Sequence, residues 1–395
     1  MKQLYTTLLV LAAALQMAGA KDLGALAKSR GIHLGAAVTF PSAAYVADYD
    51  TTLAHEFNTS VCENDMKWSN TENIRNTFTF TKADAIVDFT LAHGNYMRGH
   101  NFVWHSQVPT WVSNMTNRDT LLAVMKNHIN QLAGHYKGKI YEWDVVNEAV
   151  ADGGASLRTS FWYNRIGADF IDSAFVYAHR ADSNALLVYN DYGAEGATGS
   201  TAAKSTAVYN LVKGLKERGI PINGVGLQSH FSLAQAQDTA PIAANMTRLE
   251  ALGLNVSITE LDISTSNTTA NLESQKQAYK GLMALCLRHP RCKSFIAWGL
   301  DDVQSWKGAN AVALLFTGGN TVNGQVVPIT PKPAYDGIVE ALTGSPGPTA
   351  IWTKGNKAGV LRRADMKNPS VVFQAGGAVF NLQGRQLPAS LPLPK

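Results

Sequence analysis

Residues 141–150 read YEWDVVNEAV, a run of strand-forming side chains that stops at Asn147-Glu148. A carboxylate is costly at the end of an otherwise apolar strand, so it asks for a reason. A lone Glu in that place reads more readily as a helix cap or an ion-pair partner than as a catalyst. The balance turns on a second stretch of the same shape, NVSITELDI, in which Glu260 also ends an apolar strand. Two such carboxylates ask for one common explanation.

Outward from these two runs the chain alternates short β-rich stretches with longer amphipathic ones, eight times over. The remaining strand candidates are HLGAAV at His33, SVCEN at Ser60, YMRGHNFVW at Tyr96, LLVYND at Leu186, GVGLQSH at Gly224 and SFIAWGL at Ser294. Helical patterns fill the gaps, among them residues 118–135, 201–218 and 272–288. Runs that are apolar on both faces suit parallel strands, and parallel strands need helical crossovers. The prediction is an α/β chain folded as a (β/α)8 TIM barrel.

Polar and aromatic residues gather late in these runs: Glu63-Asn64, His100, Trp104-His105, Asn147-Glu148, Asn190-Asp191, Gln228, His230, Glu260, Asp262 and Trp298. The carboxyl ends of the strands of such a barrel share one face, where its active site lies. Glu148 on the fourth strand and Glu260 on the seventh then face each other across the mouth. Trp104, Trp298 and Trp306, with Trp68 in another strand-end loop, offer indole faces for sugar rings. Paired carboxylates beside such platforms point to glycosidic cleavage, with ~5–5.5 Å between them if the anomeric configuration is retained.

The two roles are assigned from neighbours. Asp262, two positions beyond Glu260, can hold His230 so that the imidazole donates to Glu260; a carboxylate bonded in its charged form keeps a low pKa and serves as nucleophile. Glu148 sits among Trp143, Val145, Val146 and Ala149, surroundings that favour the neutral acid. Asn147 is placed for a sugar 2-hydroxyl.

The chain of 395 residues carries a net charge of +4 that is unevenly spread. Residues 346–395 hold seven Lys or Arg against Asp365 alone, a balance of +6; with Lys2 set aside as well, residues 21–345 stand at −3. A mildly acidic domain without a basic stripe is a poor nucleic-acid binder. Lys2, the apolar run from Leu8 to Leu15 and Ala18-Gly19-Ala20 read as a signal peptide over residues 1–20, so a secreted or extracellular protein is expected. Residues 21–345 then form the catalytic domain. After Ser345-Pro346-Gly347-Pro348 comes a linker and a basic tail, residues 346–395, in which VVFQAGGAVFNLQGR reads as two short strands about a Gly-Gly turn. No other stretch is apolar and long enough to span a bilayer, and no exposed apolar helix face calls for an oligomer, so a monomer is expected.

Of three cysteines, Cys286 and Cys292 could close a small loop between a helix end and the next strand, leaving Cys62 as a buried thiol. No metal site is expected: the sequence has neither Cys-x-x-Cys nor His-Glu-x-x-His, and His100 and His105, five apart, would point to opposite faces of a strand. No cofactor is expected either.

The residues resemble the endo-β-1,4-xylanases of glycoside hydrolase family 10 from about Leu23 to Leu342. The matching motifs are ENDMKW at Glu63, RGHNFVWHSQVPTW at Arg98, YEWDVVNEAV at Tyr141, YNDY at Tyr189, GVGLQSH at Gly224, ITELD at Ile258, WGLDDVQSW at Trp298 and PKPAYDG at Pro331. The resemblance implies retaining hydrolysis of the xylan backbone, with Glu148 as acid/base and Glu260 as nucleophile. It places Glu63, Asn64, Lys67 and Trp306 at the second sugar on the non-reducing side. His100, Trp104, Asn147, Gln228, His230 and Trp298 would line the sugar being cleaved, and Tyr192 the leaving-group side. It also implies a Cys286–Cys292 disulfide.

Departures from the family pattern are Cys62 in place of proline, Asn101 in place of threonine, and Asp301 where Ser or Arg is commoner. Asp301 is expected to add a negative charge to the lip over the non-reducing-side sugars. The stretch 317–327, TGGNTVNGQVV, is longer than usual and is expected to reshape the rim near Trp306. The tail lies outside the resemblance; it is similar, weakly, to terminal β-rich segments used in export or surface display. The competing readings are another retaining β-glycanase, a cellulase or mixed-linkage glucanase, and a non-catalytic glycan-binding protein.

Overall fold

In the fourth run of the barrel, strand order begins at Ile140 and holds to Asn147, with all but Tyr141 of its side chains buried. Burial on both faces is what a parallel strand under helical cover requires. The computed structural model describes residues 22–39, 48–154, 156–322 and 325–344, together with three short strands in the tail. The segment read as a signal peptide lies outside the described residues.

Eight strands form the barrel: β1 (His33–Val38), β2 (Thr59–Cys62), β3 (Tyr96–Val103), β4 (Ile140–Asn147), β5 (Leu186–Asp191), β6 (Gly224–Leu227), β7 (Asn255–Ser264) and β8 (Cys292–Ala297). Each pairs in parallel with the next in chain order, and β8 pairs with β1 through His33↔Ser294 to Ala36↔Ala297, closing the cylinder. β7 runs beyond Glu260 to Ser264, further than the sequence pattern suggests. Its last residues find a partner in a short strand, His230–Ser232, that resumes after β6 with His230 opposite Asp262.

The helix Arg118–His135 keeps the bounds read from its period, started by Asn117 accepting from Thr120 N. Ala202–Glu217 and Thr269–Arg288 fall close to theirs. Gly99 in β3 shows why side-chain volume matters at the barrel wall: a Cβ there would lie 2.0 Å from Trp143 Cε3, so the buried indole of β4 lies directly on the glycine. The barrel interior also holds charge. Arg98 of β3, fully buried, meets Glu142 at 2.8 Å and forks onto Asp144, both buried on β4. Burial alone would lower the Arg98 pKa, but Asp144 and Glu142 raise it, so the guanidinium stays charged.

Cys286, near the end of Thr269–Arg288, is disulfide-bonded to Cys292 at the start of β8, and Cys62 is a buried free thiol. Residues 316–331 fold as a small antiparallel device, Phe316–Thr317 with Thr330–Pro331 and Asn320–Val322 with Gln325–Val327. The tail forms a separate unit, Gly347–Lys395. In it Val372–Ala375 pairs antiparallel with Ala378–Asn381, the two strands read from the sequence, and a third strand, Gln386–Leu387, adds to them. No helix among the described residues is long and apolar enough to cross a membrane.

Candidate active site

Glu148 follows the last residue of β4 with φ +58, a left-handed conformation that a side chain adopts only when its surroundings enforce it. The enforcement comes from β5, where Asn190 O accepts from Glu148 N at 2.9 Å. The carboxylate receives Trp104 Nε1 at 2.8 Å on one oxygen, and Gln228 Nε2 at 3.1 Å and Asn147 Nδ2 at 3.3 Å on the other. The apolar surroundings expected from its sequence neighbours are therefore not what it meets. Trp143, Val145 and Val146 are buried in the barrel wall, while residues from other strands bring N–H donors to the acid.

Glu260 lies deeper, 4 % exposed. Its Oε1 accepts from Asn190 Nδ2 at 2.7 Å, and its Oε2 is 3.3 Å from His230 Nε2. The other ring nitrogen of His230 is 2.7 Å from Asp262 Oδ2. Burial acts to raise the Glu260 carboxyl, but the His230 hydrogen bond, the charges of His100 and His230 and the Asn190 hydrogen bond outweigh it and bring the pKa down to about 2. Burial likewise opposes charge on His230, and its bonds to Asp262 and Glu260 prevail, lifting it to about 9. The result is a carboxylate held ionised inside the protein.

An amide chain connects the two glutamates. Asn147 Oδ1 accepts from Gln228 Nε2 at 3.1 Å and from Asn190 Nδ2 at 2.9 Å, and those amides also touch Glu148 and Glu260 respectively. Asn190 is fixed by Thr259 Oγ1 at 2.6 Å, and Gly226 makes room for it, since a Cβ there would lie 2.2 Å from Asn190 Oδ1. Sequence reasoning placed Asn190 late in its strand without giving it a role; the paired glycines of GVGLQSH were the available signal. From the opposite side His100 Nδ1 meets Asp144 Oδ2 at 2.8 Å and lies 3.9 Å from Glu260 Oε1, which links the buried Arg98 pair to the same carboxylate.

On the side of β2, Lys67 Nζ bonds Asn64 Oδ1 at 3.0 Å and lies 5.1 Å from the Trp104 ring. Burial pushes the Lys67 ammonium down, opposed by Glu260, Glu63 and Glu148, so it faces both catalytic candidates. Burial raises Glu63, whose Oε2 accepts from Thr39 Oγ1 at 3.2 Å. Trp298 is nearly buried, edge-on to His100 at 5.1 Å, whereas Trp306 is 53 % exposed and T-shaped to His230 at 5.0 Å. Beyond Glu148, Tyr192 is tied through its hydroxyl to Asp152 and Arg158, while Lys204 Nζ sits 3.6 Å from its ring centroid. Arg158 Nε also donates to Glu148 O at 3.0 Å. The sequence reading missed Arg158, Asp152 and Lys204.

Two expectations are corrected. Trp68 does not line the mouth: it is 2 % exposed and stacks on His128 at 3.8 Å, under the helix Arg118–His135. Asp301 puts no charge on the lip. It is fully buried, its Oδ1 accepting from Val303 N and Gln304 N to cap a 3-10 turn, and burial raises it to about 6. His105 lies past the end of β3, so the strand argument for its direction does not apply to it. Among the described residues, the group with metal-compatible spacing is His100, Asp144 and Glu260, and its donor atoms are engaged with one another, Arg98, Asn190 and His230.

The arrangement can hold one carboxylate ionised and present a second, more open one across an amide bridge, with indoles on either side. The family model described as glycosyl hydrolase family 10 matches residues 22–341. Endo-1,4-beta-xylanase B of Thermotoga neapolitana is 34 % identical over 355 residues, which cover 87 % of this chain and 98 % of that protein. An endo-1,4-beta-xylanase of Agaricus bisporus is 38 % identical over 301 residues, 75 % of this chain and 86 % of the other. The crystal structure of xylanase 10B from Thermotoga petrophila RKU-1 in complex with xylobiose superposes with a TM-score of 0.74 at 35 % identity, covering 81 % of this chain and 97 % of that one. Since the match begins ahead of β1 and ends within the helix Pro333–Thr343 that follows β8, it takes in the whole barrel and every residue of the site: the chain belongs to glycosyl hydrolase family 10.

Proposed function

We propose that the protein is a retaining endo-β-1,4-xylanase in which Glu260 is the nucleophile and Glu148 the acid/base. The observation that carries the assignment is the unequal treatment of the two carboxylates. Glu260 is buried and held ionised near pKa 2 by His230 and Asn190, whereas Glu148 is partly open to the cleft and bonded by Trp104 and Gln228. Glu260 attacks the anomeric carbon while Glu148 gives its proton to the leaving glycosidic oxygen, forming a glycosyl ester on Glu260. Glu148, now a carboxylate, takes a proton from water as that water attacks the same carbon and frees Glu260. Asn147 meets the sugar 2-hydroxyl, with Glu63, Asn64, Lys67 and Trp306 at the preceding sugar and Tyr192 on the leaving-group side. Xylan as substrate follows from the similarity to xylanases, one of them holding xylobiose.

Reducing-sugar release from xylan, with carboxymethylcellulose alongside, tests the substrate; strong release from cellulose and none from xylan overturns it. Glu260→Gly with azide tests the roles. The expected product is a glycosyl azide of inverted configuration, and a retained one reverses the assignment.

The N-terminal segment supports export, with Lys21 as the first residue of the mature chain. Mass spectrometry of secreted material checks this, and a retained Met1 contradicts it. The tail is proposed as an export or display segment. A monomer is proposed as well.

A further inference from the structure

β6 ends at Leu227 and the chain resumes as a strand at His230, so Gln228 and Ser229 form the joint between them. The two side chains flanking Ser229 diverge: Gln228 reaches Glu148 and Asn147, and His230 reaches Glu260 and Asp262. Both glutamates are thus served by the residues on either side of Ser229. Ser229 itself has φ +63, a left-handed conformation unfavourable for a residue with a Cβ, so the joint does not hold its shape unaided.

Backbone bonds secure its two sides. Gln228 N donates to Asp191 O at 3.0 Å, and Glu260 N donates to Gln228 O at 3.1 Å. Ser229 Oγ turns back to Leu227 O at 3.1 Å. Ser229 N donates to Glu195 Oε1 at 3.0 Å, an oxygen that also accepts from Gly193 N at 3.2 Å. Glu195 is 3 % exposed, and its Oε1 is taken up by these two backbone amides. A buried carboxylate fixed by backbone amides needs a return for its desolvation, and here it fastens the left-handed turn. Burial raises its pKa, opposed by these amides and the nearby charge of His230.

We propose that Glu195 is a positioning residue for both glutamates, holding the Ser229 turn from which Gln228 and His230 diverge. The proposal rests on the xylanase reading above. Glu195→Ala should lower kcat on xylo-oligosaccharides by about 10²-fold, as misplacing a catalytic group by an ångström does, with KM nearly unchanged. Glu195→Gln keeps an acceptor oxygen at the same reach and should recover most of the loss. Because Glu195 acts through Gln228 and His230, Glu195→Ala combined with Gln228→Ala should cost far less than the product of the two single losses.

Wild-type kcat in Glu195→Ala, or fully multiplicative losses in the pair, overturns the proposal. Should the alanine variant not fold, Glu195→Asp, which keeps the charge and shortens the reach, is put through the same cycle with the same two overturning results. If the unsubstituted protein cleaves no xylan, the xylanase reading is what fails. A crystal structure of Glu195→Ala, or of Glu195→Asp in that case, then decides this proposal: a displaced Ser229 turn supports it, and an unmoved one overturns it.

Discussion

Trp306 Nε1 donates to Asp262 Oδ2 at 2.9 Å, and the same oxygen lies 2.7 Å from His230 Nδ1. An exposed indole on the cleft wall is thereby tied to the carboxylate that sets His230 against Glu260. The proposed sugar platform and the support of the proposed nucleophile share one atom.

Trp306→Phe keeps the flat apolar face and removes the N–H. The loss of a hydrogen bond to a charged acceptor, ~1.5–3 kcal/mol, should lower kcat about 10- to 100-fold and leave KM close to that of the parent. Trp306→Ala removes the face as well and should raise KM. Steady-state kinetics on xylo-oligosaccharides separate the two. An unchanged kcat in the phenylalanine variant would show that Asp262 gains nothing from the indole.

The His230–Glu260 pair gives stability a definite pH window. Glu260 is depressed to about 2 from a model-compound value of 4.5, so its contribution is complete above about 4.5 and is lost as pH falls through 2. His230 is raised to about 9 from 6.5, so its contribution is complete below about 6.5 and is lost as pH rises through 9. The Tm advantage of the parent over His230→Gln should be largest between pH 5 and 6.5 and should shrink toward pH 9. Thermal unfolding across that range checks it, and a constant difference contradicts it.

Asp301 works in the opposite sense. Its folded pKa of about 6 exceeds the ordinary 3.8, so the native state binds the proton more tightly and stability falls as pH rises from about 4 to 6. Burial is the main cause, and Asp302 and Asp48 add to it; Oδ2 has no hydrogen-bond partner among the described residues. Asp301→Asn keeps the Oδ1 that caps Val303 and Gln304. The variant should match the parent in Tm at pH 4 and exceed it at pH 7. Equal gain at both values would point to packing instead of charge.

The Cys286–Cys292 bond closes a short loop, a sequence separation of six. Chain entropy for a loop of that length gives it ~2 kcal/mol. Replacing both cysteines by Ala should lower Tm by a few degrees without altering kcat, because the bond sits at the helix end preceding β8, at the end of the barrel opposite the glutamates. Calorimetry alongside an activity assay tests both halves of the statement.

How much of this was legible in the sequence depends on which interactions set each feature. Strand and helix positions follow from periodicity, a local property, and the run at residues 118–135 became a helix with those very bounds. The convergence of Glu148 and Glu260 followed from one topological rule about strand ends. What a side chain meets was less legible, because its neighbours come from other strands. Trp68 opens a short helix after one strand and Trp306 lies in the loop after another, yet one is buried on His128 and the other open to solvent. Asp301 turned inward because its carboxylate could cap the next turn. The donors around Glu148 come from Trp104 and Gln228, far away in sequence. Glu195 gave no sequence signal because its role is to accept backbone N–H groups, and these are the same for every residue type.

The pairing of β8 with β1 brings Ser294 beside His33 and Ala297 beside Ala36. Trp298 and Trp306 follow that last strand in the chain, whereas Lys67 and Trp104 belong to the early ones. An emerging or truncated chain therefore has no partial activity to offer, since its fragments own no complete set of groups. The cylinder is closed by a pairing between remote ends of the domain, so activity belongs to the completed barrel.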